Sequence, residues 1–274
     1  MISWAVVHRE CKLHFRSTWT YTFIVMFSIF TALIMYVSGD VTGLGQYTKT
    51  TGTMMNLLAY FLPLLTLVSG AFSLTMEKEE GSWHLLFTYP ISATEWVIGK
   101  FVGMAFVLLT MLTCAFGSAG LLLFATDRSL DLHTIGMLYL YALCIVLLFL
   151  AAAVCIGGLS KNRWQALIGC IGVWVVLVLA WPVLLISILH QLPFYAAMPL
   201  LQIATLFNPL EFTRIFFTIQ LGGGAVFGTQ YAEWVTWLQQ PRSAFYFVGL
   251  ALIWIAIFLS VTILATRRGR YRGA

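Results

Sequence analysis

The chain has 274 residues, of which 61% are hydrophobic and only 9% charged, and its mean hydropathy is +0.92. A soluble domain carries about a quarter of its residues as charged side chains, so this composition excludes a water-soluble globular protein and indicates one embedded in a membrane. The net charge of +5 and pI near 9.0 do not argue for a nucleic-acid partner, because the basic residues sort by position in the way membrane orientation requires.

A bilayer core of about 30 Å takes roughly 20 apolar residues per helix. Six runs of that kind, near 18–38, 54–75, 100–126, 134–158, 165–189 and 243–266, predict an all-α integral membrane protein with a single transmembrane domain over 1–274. The runs are unbroken and lack the alternation of membrane strands. Before them, residues 2–16 read as a short amphipathic helix. Trp4, Val7, Cys11 and Phe15 recur at helical spacing while Arg9, Lys12 and Arg16 line another face, which suits a helix lying in the membrane interface. No small-residue cleavage site ends the first run, so it is expected to stay as an anchor.

Span one ends at Ser38-Gly39-Asp40, and a polar loop through Thr53 leads into span two, where Pro63 predicts a bend. Between spans two and three comes the most charged stretch of the chain, Met76-Glu77-Lys78-Glu79-Glu80-Gly81, continuing to Tyr89-Pro90-Ile91-Ser92 and Gly99-Lys100. Positions 57–75 and 101–126 carry no charged side chain, so this segment must leave the bilayer between them. Ser92-Ala93-Thr94-Glu95 has capping-box spacing, which predicts a short helix across the base of span three. Gly99 and Gly103 form a small-xxx-small step that permits close helix packing.

Span four is followed by Ser160-Lys161-Asn162-Arg163, and span five contains Trp181-Pro182, a second expected bend. Residues 190–242 are apolar but interrupted by Pro193, Pro199, Asn208-Pro209 and Gly222-Gly223-Gly224. That pattern predicts short re-entrant or interfacial helices at one mouth of the bundle. The chain closes on Arg267-Arg268-Gly269-Arg270-Tyr271-Arg272. With the N-terminus in the cytoplasm, 11 of the 15 Lys and Arg residues fall on the inner side and Lys49, Arg128, Arg214 and Arg242 outside. The positive-inside bias therefore puts both termini in the cytoplasm.

Several chemistries find no residues. The spans hold essentially no ionisable groups of the kind that carry ions in coupled transporters, His133 and His190 falling at their edges. No Walker loop, His-Glu-x-x-His or Gly-x-Ser-x-Gly occurs. The five cysteines lack metal or redox spacing, and the methionines read as apolar filler rather than copper ligands. No catalytic, cofactor-binding or metal-ligating residue is expected, and the chain is not expected to be an enzyme.

The amphipathic entry helix, the six spans, the acidic Glu-Glu-Gly exit from span two, Thr88-Tyr89-Pro90-Ile91-Ser92, Gly99-Lys100-Phe101-Val102-Gly103, and the later Leu206-Phe207-Asn208-Pro209 with Arg214 resemble permease subunits of type-2 ABC exporters. Within these they are most similar to the NosY-like branch, associated with nitrous oxide reductase maturation. The resemblance implies a homodimer in the inner (cytoplasmic) membrane, bound to a separate ABC ATPase subunit that holds ATP and Mg. It also implies a possible periplasmic partner. It makes the segment between spans two and three the coupling element, and so assigns Glu77, Glu79, Glu80, Ser92, Glu95 and Lys100 to contact with the ATPase. A membrane scaffold or assembly factor that transports nothing is the alternative reading. The topology is checked by single cysteines in a cysteine-free background: one at Lys49 is expected to react with an impermeant reagent from outside, and one at Lys161 only from inside.

Overall fold

The computed structural model describes residues 4–15, 21, 24–25, 28–29, 49–81, 92–125, 132–191, 194–227 and 232–272. Among these, every regular element is helical. Helix α1 is Trp4–Phe15, α2 Lys49–Glu79, α3 Ala93–Ala125 and α4 Leu132–Leu159. Helix α5, Arg163–Trp174, passes through a π-helical stretch, Val175–Ala180, into α6, Trp181–Leu189. The shorter α7 (Phe194–Phe207), α8 (Pro209–Gln220) and α9 (Ala232–Leu238) precede the long α10, Arg242–Arg272.

Five of the described helices are long and apolar enough to cross a membrane: Lys49–Glu79, Ala93–Leu121, Leu132–Leu159, Arg163–Ile188 and Arg242–Arg267. The first expected span, 18–38, lies mostly outside the described residues. Tyr21, Ile24, Val25, Ser28 and Ile29 within it are helical, and Ser28 Oγ lies 2.7 Å from Ser118 Oγ of α3.

Helix α4 is the centre of the bundle. Its apolar window is 67% buried inside the chain, against 6% for Arg163–Ile188 and 11% for Arg242–Arg267, so the last two helices are left to face lipid or a partner. It packs most extensively on α2, and also on α10, α3 and α8. Small residues make the first two approaches possible. A Cβ on Gly157 would stand 2.8 Å from the Ala71 carbonyl oxygen of α2, and one on Gly158 would stand 2.8 Å from Thr262 Cγ2 of α10. Gly70 of α2 likewise admits Ala153, whose Cβ would be 2.5 Å from an added Cβ. Because lipid tails are as apolar as leucine, such close backbone contact is a principal source of helix association in a bilayer.

The bend expected at Trp181-Pro182 takes a specific form. Proline lacks an N–H and its ring crowds the preceding turn, and the helix responds by widening to π geometry just before it, a local insertion often associated with functional sites. The Trp181 N–H then donates to the Val176 carbonyl, rather than to that of Leu177 as in an α-helix. Pro182 cannot serve Leu177 either. The Leu177 carbonyl is instead met by the fully buried Asn208, whose Nδ2 donates to it at 2.7 Å. The same side chain caps α8, its Oδ1 accepting from the Leu210 N–H at 2.9 Å and the Glu211 N–H at 3.4 Å. One amide thereby satisfies three backbone groups that lipid could not.

The broken region does consist of short helices, α7 to α9. Helix α8 enters the core through Phe217, which meets Tyr141 of α4 at 5.6 Å between ring centroids, and through Phe216, stacked at 4.3 Å on Phe247 of α10. Two expectations are corrected. The polar loop drawn through Thr53 is already helix from Lys49, with Thr53 Oγ1 donating back to the Lys49 carbonyl at 2.8 Å. The capping box at Ser92 starts α3 itself instead of a separate short helix, because no proline interrupts Ala93–Ala125.

The contrast between glycines on α4 is testable. Gly157→Val is expected to destabilise the protein by about 1–3 kcal/mol through overpacking. Gly136→Val, where an added Cβ meets nothing within 4 Å, is expected to change stability by only about a few tenths of a kcal/mol, in the stabilising direction, since valine is the better helix former. Thermal unfolding of the two variants in the same detergent measures the difference.

Candidate coupling site

The charged residues singled out between spans two and three lie at one end of the bundle, where five elements meet: α1, the end of α2, the start of α3, the α4–α5 turn and the end of α10. The first junction is a buried ion cluster. Glu10 of α1 and Lys100 of α3 are each only 1% exposed, and Glu77 of α2 only 4%. Lys100 Nζ lies 2.9 Å from Glu10 Oε1 and 3.2 Å from Glu77 Oε1. It also donates to the Ser73 hydroxyl at 2.9 Å and to the Ser73 carbonyl at 3.2 Å.

Ser73 Oγ in turn donates to Glu10 Oε2 at 2.9 Å. Arg9, on the solvent side, pairs with Glu77 Oε1 at 2.9 Å. The Trp96 ring, one turn before Lys100, faces the ammonium with its centroid 5.9 Å away. Two acids and two bases thus form a net-neutral cluster, the condition under which charges are tolerated in a low-dielectric interior.

Local sequence explains how the cluster closes. Val6 and Val7 fall four and three residues before Glu10, on one face of α1, and all three are buried. Ser73 and Glu77 are one turn apart on α2, as Trp96 and Lys100 are on α3. Gly103 lets α1 settle against α3, since a Cβ there would come within 2.9 Å of Glu10 Cβ and 3.3 Å of Val7 Cα. Beside it, burial and then the Glu10 charge push the Cys11 thiol above its ordinary 9.0. Trp4, read as part of the apolar stripe with Val7, is exposed instead.

The second junction is the α4–α5 turn, held by the last residues of α2. Lys78 Nζ donates to the carbonyls of Gly157, Gly158 and Ser160 at 2.8, 2.6 and 2.7 Å, the groups left over at the end of α4. Glu79 does the converse at the start of α5. Its Oε1 accepts the Arg163 backbone N–H at 2.8 Å, and its Oε2 pairs with Arg163 Nε at 2.7 Å. A cation at a helix C-terminus and an anion at a helix N-terminus are both favoured by the helix dipole, and adjacent residues of α2 supply one of each. Asn162 completes the turn by accepting the Gln165 N–H at 2.8 Å.

The expected contact residues therefore divide. Glu80 is exposed and its Oε1 lies 3.9 Å from the Arg163 guanidinium. Glu79 is exposed but engaged with Arg163. Ser92 and Glu95 are the reciprocal capping pair, Glu95 N–H to Ser92 Oγ at 3.1 Å and Ser92 N–H to Glu95 Oε2 at 3.2 Å, on the outside of the first turn of α3. The next residue of that turn but one, Thr94, accepts from the Arg267 guanidinium of α10 at 3.2 Å. Glu77 and Lys100, by contrast, point inward and are occupied by Glu10, Arg9 and Ser73, so they lie behind the surface rather than on it. Residues 82–91 lie outside the described residues.

Glu10 and Ser73 were not singled out from sequence. The signal for Glu10 was present, because an acid on the buried face of an amphipathic helix needs a buried base. Which base it meets depends on a contact across 90 residues of chain.

The family of the chain is decided by its match to a family model described as ABC-2 family transporter protein, over residues 4–268. The chain belongs to the ABC-2 family. Two relatives are each named probable ABC transporter permease protein NosY. The one from Pseudomonas aeruginosa is 24% identical over 236 residues, covering 82% of this chain and 86% of the relative. The one from Stutzerimonas stutzeri is 24% identical over 219 residues, covering 77% and 79%. This chain is accordingly an ABC-2 permease subunit, similar to NosY, and the charged end just described is a feature of a transporter's membrane subunit.

The buried cluster makes a quantitative demand. Lys100→Met leaves Glu10 and Glu77 facing each other without their shared cation, and breaking a buried pair costs about 3–5 kcal/mol. In Glu10→Leu with Lys100→Met, Glu77 keeps Arg9, so most of that loss is expected to be recovered. Thermal unfolding of the singles and the double in one detergent provides the cycle, and additive losses would count against a shared network.

Proposed function

We propose that this ABC-2 subunit works as a homodimer in the inner membrane, with both termini cytoplasmic, and couples ATP hydrolysis by a separate ABC ATPase to export or to conformational signalling across the membrane. A partner on the periplasmic face belongs to this reading, and nitrous oxide reductase maturation is the process it would serve. ATP and Mg would be held by the ATPase subunit. The observation that carries the proposal is the charged end, where the exposed Glu80 just past α2 and the half-buried Glu95 of α3 border helices that ion pairs tie to α1 and α5 and a hydrogen bond ties to α10.

In this reading Glu79, Glu80, Ser92 and Glu95 form the docking surface, and Glu77 and Lys100 act from behind it. A push delivered to the α2–α3 connection reaches both flanking helices. Through Lys100 it also moves α1, and through Lys78 and Glu79 it moves the α4–α5 turn. Exposed charge alone would transmit little, because surface pairs are worth only about 0–1 kcal/mol. The buried cluster is what would make α1, α2 and α3 move together.

Charge reversal tests the docking surface, provided that Arg163 is taken into account. Glu79→Lys with Glu80→Lys places like charges against a basic partner surface, a juxtaposition that costs several kcal/mol and so weakens binding by orders of magnitude at about 1.4 kcal/mol per tenfold. The same change also repels Arg163. Adding Arg163→Glu restores the internal pair, so recovery of ATPase co-purification by that third change would reduce the acids to an internal clamp. Continued loss of the ATPase, repaired only by a compensating change on the ATPase, is the outcome the proposal expects.

A further inference from the structure

A second feature lies toward the opposite end of α10 from the charged cluster. A cavity of about 620 Å³ opens between α7, α8, α9 and the first third of α10. Its walls are almost entirely apolar and rich in aromatic rings, with Phe212 and Phe216 from α8, Trp234 and Trp237 from α9, and Tyr246 and Phe247 from α10. The stacked Phe216 and Phe247 rings brace one wall. Ser243 in the lining already donates to the Leu238 and Gln240 carbonyls, so it is not left over for a polar ligand. The volume is that of a small-ligand site, and the lining selects an apolar occupant.

We infer that this cavity holds an acyl chain of a bilayer phospholipid, with the phosphate at Arg242. Three observations converge on that occupant. The cavity is built on a helix long and apolar enough to span the membrane. The outer face of that helix, including Phe245, Val248, Leu252 and Ile253, is exposed and apolar. Ile253 also lines the cavity, so the cleft is continuous with a surface that lipid would bathe. Arg242 is the first residue of α10 and is exposed. It makes no ion pair among the described residues, leaving its guanidinium for a phosphate, which it binds by paired hydrogen bonds. The helix dipole favours negative charge at the same place. Trp237 and Tyr246, packed at 5.4 Å, belong to the residue types that collect at headgroup level.

Gly249 supplies the means of testing this. It lines the cavity, and a Cβ built on it meets nothing within 4 Å, so the side chain of Gly249→Phe starts in open space at the cavity wall and is expected to occupy part of the volume. The full chain, reconstituted in phosphatidylglycerol and phosphatidylcholine vesicles, is irradiated with a phospholipid carrying a diazirine at the end of one acyl chain, and the adducts are mapped by peptide mass spectrometry. Adducts on the wild-type chain are expected to concentrate in residues 232–253. Gly249→Phe is expected to reduce them several-fold while leaving those on α5 and α6 unchanged. Arg242→Ala is expected to lower capture of the phospholipid probe but not of a diacylglycerol with the same diazirine chain, which has no phosphate. Adducts spread evenly over α5, α6 and α10, with no effect of Gly249→Phe, would overturn the site. So would labelling elsewhere on the chain with residues 232–253 left free of adducts. Equal loss of both probes in Arg242→Ala would overturn the assignment of the phosphate to Arg242. The wild-type mapping needs no variant, so a folding defect in Gly249→Phe would leave that part of the test intact.

Discussion

Lys100 sits near the start of α3, just before the uncharged run 101–126, and its ammonium, buried there, cannot be left bare in a low-dielectric interior. Everything at the charged end follows from how it is paired. Glu77 from α2 and Glu10 from α1 both reach it, so an amphipathic helix that would otherwise be free to slide in the interface is held by charge to the bundle. Its further acceptors are the Ser73 carbonyl and the Ser73 hydroxyl, and the hydroxyl itself donates to Glu10. With two acids for one ammonium, the cluster would carry an excess negative charge without Arg9, and Arg9 supplies the balance from the solvent side. Because breaking such a pair is far more costly than loosening a surface one, the three helices form the stiffest junction at this end.

The same physical rule, that polar groups without water must find partners within the protein, governs the backbone groups elsewhere in the molecule. It appears at the α4–α5 turn, where Lys78 takes the last carbonyls of one helix and Glu79 the first amide of the next. It appears again in the π-helical stretch before Pro182, where a proline and a widened turn together strand the Leu177 carbonyl and Asn208 recovers it. These two devices lie on the same continuous helix, α5 to α6, which is also held to α2, where Cys170 Sγ donates to the Leu67 carbonyl and Trp174 Nε1 to the Tyr60 carbonyl. That helix is consequently fixed to the rest near its beginning and near its middle, while its apolar surface is left to the membrane or a partner.

Much of this was legible from residue order. The spans follow from the length of the apolar runs, the start of α3 from the Ser92 and Glu95 spacing, and the broken region before α10 from its prolines and glycines. The bend at Pro182 was readable as a bend but not as a π-turn, because which hydrogen bond is surrendered depends on what is available to replace it. Glu77 and Lys100 were readable as members of a charged stretch, and the stretch as something that must leave the hydrocarbon. Their burial was not readable, since a charge close to a membrane exit can turn to water or to another helix with equal ease as far as local sequence is concerned.

Hydropathy, charge asymmetry and capping chemistry are local quantities, carried by residues within a few turns of one another, and by themselves they determined that this is an all-helical membrane protein with a charged segment between its second and third expected spans. Pairing is not local. Glu10 meets Lys100 across 90 residues, Lys78 meets Gly157 across 79 and Asn208 meets Leu177 across 31. Each of these contacts exists only because helix packing brings the partners within about 3 Å, the range in which a hydrogen bond or ion pair has its strength. Which charges face a partner and which hold the fold together was therefore decided by the tertiary structure, since desolvation is set by what packs around a side chain rather than by its neighbours along the chain.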